Sequence, residues 1–125
     1  MLSKAMSEGR LTFNKLIRDK VAERMQERGV EYSARTLSEE EYKAELLKKV
    51  GEEALGVQNA QTREELVSEM ADVLEVLSAL RKLEGITEEE IETALTRNME
   101  KKGGFDTRTF LEWTADDGYK TNEQK

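Results

Sequence analysis

Residues 62–85, TREELVSEMADVLEVLSALRKLEG, decide the fold of this chain. At about 100° per residue around a helix axis, their apolar side chains cover well over half of the circumference. Thr62 stands three residues before Glu65, which is the capping-box pattern of a helix start. Gly85 supplies the glycine that commonly follows a last helical residue. The stretch therefore predicts a long helix over 63–84 that packs on more than one side.

The same start signal occurs twice more along the chain. Ser38 precedes Glu41 by three residues, and Thr87 precedes Glu90 in the same way. Another helix is predicted before Gly29, where apolar residues recur at helical spacing. The predicted helices span 15–27, 39–60, 63–84 and 88–102, with an extended linker over 30–37. The predicted fold class is therefore all-α, an antiparallel bundle of four to five helices.

The helical pattern predicts one domain between two tails. Residues 1–12 are polar and aperiodic, which indicates a flexible N-terminal tail, and residues 13–114 form the helical domain. Residues 115–125 are expected to be disordered. The apolar residues before that tail are expected to pack back on the bundle: Phe105, Phe110, Leu111 and Trp113.

Composition excludes several kinds of chemistry. The chain of 125 residues contains no histidine and no cysteine, so histidine bases, nucleophile triads and thiolate metal sites are ruled out. A metal would be held by carboxylates and water, which favours Mg²⁺, Mn²⁺ or Ca²⁺. The net charge of −7 argues against duplex nucleic acid as a partner. No apolar run approaches the roughly 18 residues of a membrane span, and no signal-peptide core is present, so a cytoplasmic location is expected.

Three carboxylates fall where neighbouring helices should pack. Glu69 and Asp72 lie one turn apart inside the apolar arc of the helix over 63–84. Glu53 lies inside the apolar arc of the preceding helix, and the short connection makes the two helices antiparallel neighbours. Buried carboxylates lose hydration and repel one another, and a bound divalent cation relieves both costs. The alternative is that they flank the core and pair with basic residues, since Lys49 stands one turn before Glu53.

Five blocks of sequence resemble one family in the order that family shows. They are FNKLIRDKV (13–21), EEEYKAELLKKV (39–50), GEEALGV (51–57), SEMADVLEVL (68–77) and KKGGFD (101–106). Together they are similar to the MazG-like all-α NTP pyrophosphohydrolases, whose signature is Glu-Glu-x-x-Glu followed by Glu-x-x-Asp. The resemblance spans about residues 13–111 and points to the small, single-domain, house-cleaning branch.

The resemblance implies a function, a cofactor and site residues. The function would be hydrolysis of a nucleoside triphosphate to the monophosphate and pyrophosphate, removing non-canonical nucleotides. The cofactor would be Mg²⁺ or Mn²⁺, held by Glu53, Glu69 and Asp72, with Glu53 also the candidate catalytic base. Candidate phosphate-binding residues, taken from the family-like blocks, are Lys15, Arg18 and Lys102. For each of these three residues, an ordinary solvated helix face is the alternative.

One position departs from the family signature. Gly56 stands where the third Glu is expected, so one metal ligand is missing. This departure supports an alternative function, a weakened or inactive module that binds a nucleotide or a protein. A second alternative is phosphoribosyl-ATP pyrophosphohydrolase, which shares the fold and the motif. Restoring the carboxylate by Gly56→Glu is expected to strengthen metal binding.

The breadth of the apolar surface predicts self-association. On the helix over 63–84, apolar residues occupy both flanks, with Val67 and Leu74 on one and Val76 and Leu80 on the other. One neighbouring helix cannot cover both flanks. The chain is therefore expected to form a homodimer or a homotetramer.

Overall fold

The computed structural model describes residues 9–121. These residues form four helices, α1 (Asp19–Glu27), α2 (Glu39–Asn59), α3 (Arg63–Glu84) and α4 (Glu88–Lys102). No strand occurs among the described residues, so the all-α prediction is confirmed. The bounds of α3 and α4 match the prediction, and α2 ends one residue earlier than predicted.

Helix α1 is shorter than predicted. It begins at Asp19, because Arg18 is extended, with φ −74° and ψ 154°. Asn14, which precedes the predicted helix over 15–27, adopts a left-handed conformation, with φ 47°. The Arg18 side chain instead reaches Asp72 on α3. The first turn that the apolar spacing predicted is therefore absent, and α1 is four residues shorter than predicted.

The capping boxes at the starts of α2 and α4 form as predicted. Ser38 caps α2, and the N3 residue Glu41 returns a hydrogen bond to the backbone of Ser38. Arg35 also donates two hydrogen bonds to Glu41, at 3.2 and 3.0 Å. These Arg35 bonds, and next the backbone bond from Ser38, lower the pKa of Glu41 from 4.5 to about 2. Thr87 and Glu90 form the same reciprocal pair at α4.

Only one of the two hydrogen bonds of the predicted capping box forms at the start of α3. The Thr62 hydroxyl accepts from the backbone N–H of Glu65 at 3.1 Å. The Glu65 carboxylate, however, accepts from the N–H of Gln61 at 2.8 Å instead of from Thr62. This bond ties the short connection between α2 and α3 to the first turn of α3. Gly85, with φ 68°, ends α3 in the left-handed conformation that glycine adopts without strain.

Helices α2 and α3 form an antiparallel hairpin. Lys43, near the start of α2, pairs with Glu84 at the end of α3 at 3.2 Å. Gly56, near the end of α2, lies against the side chain of Glu69 near the start of α3. Between these ends, Leu46 and Val76 are the buried apolar residues of the described chain, 2% and 7% exposed.

Much of the apolar surface of this hairpin stays exposed. Exposed apolar side chains on its two helices are Leu47, Leu55, Leu66, Val67, Met70, Leu74 and Leu77. Leu74, on the flank of α3 away from Val76, is 67% exposed. A patch of this kind on a folded protein commonly marks an interaction surface.

The chain divides into two compact units, Met1–Ile86 and Thr87–Lys125. The second unit contains α4 and the segment after it, where Phe105, Phe110, Leu111 and Trp113 are exposed. Their packing on the helices of the first unit stays a prediction. The predicted tails fall partly outside the described residues, and residues 9–12 and 115–121 contain no helix. Among the described residues, no helix is both long enough and apolar enough to cross a membrane.

Candidate metal centre

Three carboxylates from two helices converge inside the first unit. Glu53 projects from α2, and Glu69 and Asp72 project from α3. One oxygen of each lies within 4.8 Å of the others, and all three residues are partly buried. The spacing of three residues places Glu69 and Asp72 on the same side of α3, facing Glu53. The residues that the sequence marked as a ligand set are therefore neighbours in space.

This arrangement fits a hard divalent cation. Mg²⁺ takes oxygen ligands at about 2.0–2.1 Å in an octahedron, so its ligands lie roughly 3–4 Å from one another. The three carboxylate oxygens need only small side-chain movements to reach such spacing from 4.8 Å. Mg²⁺ also keeps several waters in protein sites, so three protein ligands suffice.

Basic side chains neutralise two of the three carboxylates. Arg18 Nη1 lies 3.1 Å from Asp72 Oδ1. Lys49 Nζ lies 3.8 Å from Glu53 Oε1 and 3.2 Å from Glu52 Oε1. Glu69 has no basic partner among residues 9–121. The sequence left two alternatives, a metal site or pairing of the carboxylates with basic residues. In the structure the carboxylates converge and two of them are also paired with basic residues.

The site opens into a cavity of about 300 Å³. Its lining residues are Ile17, Arg18, Val21, Lys49, Glu53, Asp72 and Val76. Two basic and two acidic side chains therefore face a space with apolar walls. Charges in such a space interact more strongly than in bulk water, because fewer waters screen them.

Lys49 is the site residue that the sequence analysis did not count as functional. It is only 9% exposed, which is rare for lysine. Its neighbour Lys48 is exposed and pairs with Glu45 at 3.7 Å. Lys49 stands three residues after the buried Leu46 and four before Glu53, so helical spacing places it on the inner face of α2.

Gly56 has no side chain, and this leaves space for the carboxylate of Glu69. A Cβ atom at position 56 would collide with Oε2 of Glu69 and would lie 3.0 Å from its Cδ. The Glu69 carboxylate therefore occupies the space into which a side chain at position 56 would extend. The obstacle is the end of a flexible side chain, so a substitution can be accommodated only if Glu69 moves.

Of the candidate phosphate-binding residues, Lys15 and Arg18 belong to the first unit and Lys102 to the second. Arg18 lines the cavity and contacts Asp72. Lys15 is exposed and is absent from the cavity lining, and its Nζ lies 5.6 Å from the ring centroid of Phe13, a cation–π distance. Lys102 is exposed at the end of α4 in the second unit.

The four helices fit the all-α fold of the MazG-like NTP pyrophosphohydrolase superfamily. Within it, the profile of the phosphoribosyl-ATP pyrophosphohydrolase family matches residues 11–99. The chain belongs to this family, whose members act on acid anhydrides of nucleotide-like substrates. No curated protein and no solved structure matches the chain. The match includes all three clustered carboxylates and ends before KKGGFD (101–106), one of the blocks that pointed to the house-cleaning branch.

Proposed function

We propose that this protein is a metal-dependent pyrophosphohydrolase that converts a nucleoside triphosphate to the monophosphate and pyrophosphate. The observation that carries the proposal is the convergence of Glu53, Glu69 and Asp72 within 4.8 Å, in a chain of a pyrophosphohydrolase family. Because the ligands are all carboxylates, the cation of choice is Mg²⁺, with Mn²⁺ able to replace it. The same nucleotide chemistry would serve the removal of non-canonical nucleotides.

The residues of the site have different proposed roles in the reaction. A bound divalent cation would neutralise phosphate charge and acidify water. Glu69 and Asp72 hold that cation, and Arg18 provides a guanidinium at the cavity wall for a phosphate oxygen. The water oxygen bonds to the α-phosphorus, the α–β anhydride P–O bond breaks, and pyrophosphate leaves with the electron pair of that bond.

Glu53 is the proposed acceptor of the water's proton. The chain contains no histidine, so a carboxylate near the cation is the candidate general base for a water that the cation would acidify. Glu53 is better shielded than Asp72, with side chains 18% and 36% exposed. It also contacts Lys49, which holds its carboxylate in place.

Phosphoribosyl-ATP is the second candidate substrate. The description of the matching family favours it directly. It presents the same phosphoanhydride chain to the cation and the basic residues, so the site chemistry described above applies to both substrates. The two candidate substrates differ in the nucleoside part, because phosphoribosyl-ATP carries an additional phosphoribosyl group on its adenine.

Gly56 favours a third candidate, a module that binds a nucleotide without hydrolysing it. The glycine removes one carboxylate from the family signature. The third candidate predicts thermal stabilisation by Mg²⁺ and nucleotide with no release of pyrophosphate.

One experiment separates the three candidates. Thermal stability is measured with Mg²⁺ and a panel of canonical, deoxy and oxidised nucleoside triphosphates and phosphoribosyl-ATP, and pyrophosphate release is then measured for each. The proposal expects both stabilisation and release, lost in Asp72→Asn but retained in the control Glu75→Gln, which alters an exposed carboxylate on the same helix. No stabilisation and no release with any of these compounds would contradict it.

A further inference from the structure

A buried lysine beside the carboxylate cluster needs a physical explanation. Burying an ammonium group costs hydration, and a lysine loses more side-chain entropy than most residues when it is fixed. Lys49 is nevertheless 9% exposed, while Lys48, one residue earlier on α2, keeps a side chain that is 58% exposed. An ordinary solvated ion pair would not require this burial.

The position of Lys49 directs its charge into the site. Its Nζ lies 3.2 Å from Glu52 and 3.8 Å from Glu53, and it lines the cavity together with Asp72. An ammonium group has three N–H donors. The bond to Glu52 uses one of them, so donors remain for a ligand in the cavity.

The same site has fewer carboxylates than two cations would require. Among the described residues, one acidic cluster suits a metal ion, and it has three members. Gly56 contributes no ligand, and the Glu69 carboxylate fills the space beside it. Glu52, the remaining acidic residue of the motif, is paired with Lys49. Two-metal sites for phosphoryl chemistry hold their ions about 3.5–4 Å apart and need ligands for both.

We propose that this site binds one divalent cation and that the ammonium of Lys49 supplies the second positive charge to the phosphate chain. One divalent cation, Lys49 and Arg18 carry four positive charges, which balance the four carboxylates that they contact or would hold: Glu52, Glu53, Glu69 and Asp72. Arg18 then adds positive charge at the cavity wall for the phosphates. Lys49 contacts an oxygen of the pyrophosphate group and stabilises the charge that develops on it as the anhydride bond breaks. This inference rests on the proposed function.

The first arm of the test counts metal ions in the wild-type protein. Mn²⁺ is titrated into the full chain, and bound and free ion are measured by electron paramagnetic resonance, without nucleotide and with a non-hydrolysable α,β-methylene triphosphate. One Mn²⁺ per chain under both conditions supports the proposal. Two per chain under either condition overturn it and leave the proposed function intact, whereas no Mn²⁺ binding overturns the proposed function as well.

The second arm tests the charge of Lys49. Lys49→Met keeps the length and removes the charge, and Lys48→Met is the matched control at an exposed lysine on the same helix. With Mg²⁺ present, calorimetry should show that Lys49→Met binds the α,β-methylene triphosphate about tenfold more weakly or worse, the size expected for one lost charge-assisted hydrogen bond. Mn²⁺ stoichiometry should not change.

A merely structural role for Lys49 gives a different result. It predicts equal analogue affinity in Lys49→Met and Lys48→Met once both are shown to be folded by circular dichroism, and that result overturns the proposal. Lys49→Arg should recover part of the lost affinity, because it restores a positive charge with different geometry. If Lys49→Met does not fold, Lys49→Gln takes its place, because it also removes the charge, and analogue affinity equal to that of Lys48→Met would overturn the proposal.

Discussion

The guanidinium of Arg18 donates a hydrogen bond of 3.1 Å to Oδ1 of Asp72, a residue 54 positions later in the chain. The pair ties the segment before α1 to the centre of α3, inside the carboxylate cluster. A divalent cation that binds the cluster would compete with Arg18 for the same carboxylate. Arg18 would then be released at the cavity wall, where a phosphate can bind it.

This competition predicts opposite effects on metal and nucleotide. Arg18→Met should raise Mn²⁺ affinity severalfold without nucleotide, because Asp72 no longer has a competing partner. It should also weaken binding of a non-hydrolysable triphosphate, because a phosphate-binding guanidinium is lost. Calorimetry measures both affinities, and Arg24→Met, at an exposed arginine of α1, is the control. If Arg18→Met changed the Mn²⁺ affinity and the triphosphate affinity in the same direction, competition between Arg18 and the cation for Asp72 would be contradicted.

Glu69 and Asp72 should be dispensable for folding and required for metal. Glu69→Gln and Asp72→Asn keep side-chain shape while they remove charge from an acidic cluster. Without metal, stability should be equal or higher in Glu69→Gln and close to wild type in Asp72→Asn, which also loses the exposed pair with Arg18. Mg²⁺ and Mn²⁺ affinity should fall by about tenfold or more in each variant, the size of one lost charged ligand. Calorimetry that shows unchanged metal binding in both variants would place the site elsewhere.

Substitutions at Gly56 should act through Glu69. Gly56→Ala should gain about 1 kcal/mol of helix stability from the loss of a helical glycine, less the cost of moving Glu69. The same displacement should weaken Mn²⁺ binding. Gly51→Ala is the control, because a Cβ at that position of α2 meets no atom within 4 Å. It should give the stability gain with unchanged metal affinity.

Gly56→Glu tests the missing-ligand idea separately. The sequence predicts a gain in metal affinity, but the structure adds a cost, since Glu69 has to move to admit any side chain. We therefore expect Gly56→Glu to bind Mn²⁺ more tightly than Gly56→Ala, because only the glutamate replaces the displaced carboxylate. Equal affinity of the two variants would show that position 56 contributes no ligand.

The contact between Arg35 and Glu41 predicts a pH dependence of stability. The pKa of Glu41 is lowered from 4.5 to about 2, so its contribution is present above pH 4.5 and is lost as the pH falls toward 2. Glu41→Gln keeps a residue suited to the capping box and removes the charge. Urea unfolding should show the wild type more stable near neutral pH, with the difference shrinking below pH 4.5. A difference that is constant with pH would contradict this cause.

The exposed flank of α3 predicts self-association. Light scattering should give a mass of at least twice the 14.3 kDa of one chain at micromolar concentration. Leu74→Glu should reduce that mass, because it places a charge in the exposed apolar patch. The control Glu75→Gln changes an exposed polar neighbour and should leave the mass unchanged. A wild-type mass of one chain would contradict the prediction.

Local sequence signals predicted most of the helix bounds. Some features that involve contacts between residues distant in the chain were not predicted. Ser38, Thr62 and Thr87 predicted the starts of α2, α3 and α4, because a helix cap is a local interaction. The predicted start of α1 was wrong: Arg18 is extended, and its side chain contacts Asp72, 54 positions later in the chain.

The candidate site shows the same division. Helical spacing brought Glu69 and Asp72 together, and the short connection to α2 added Glu53. The inward direction of Lys49 could have been predicted from its spacing to Leu46 and Glu53. The contact of Gly56 with Glu69 could not, because it depends on how closely α2 and α3 approach.

The central claim is that clustered carboxylates and a divalent cation direct hydrolysis at the α–β anhydride bond. Phosphorus NMR of the products from the most stabilising substrate of the panel tests it most directly. The account predicts pyrophosphate and nucleoside monophosphate in equal amounts, with neither formed after chelation of the metal or in Asp72→Asn. Release of orthophosphate with nucleoside diphosphate, or turnover that survives both treatments, would contradict it.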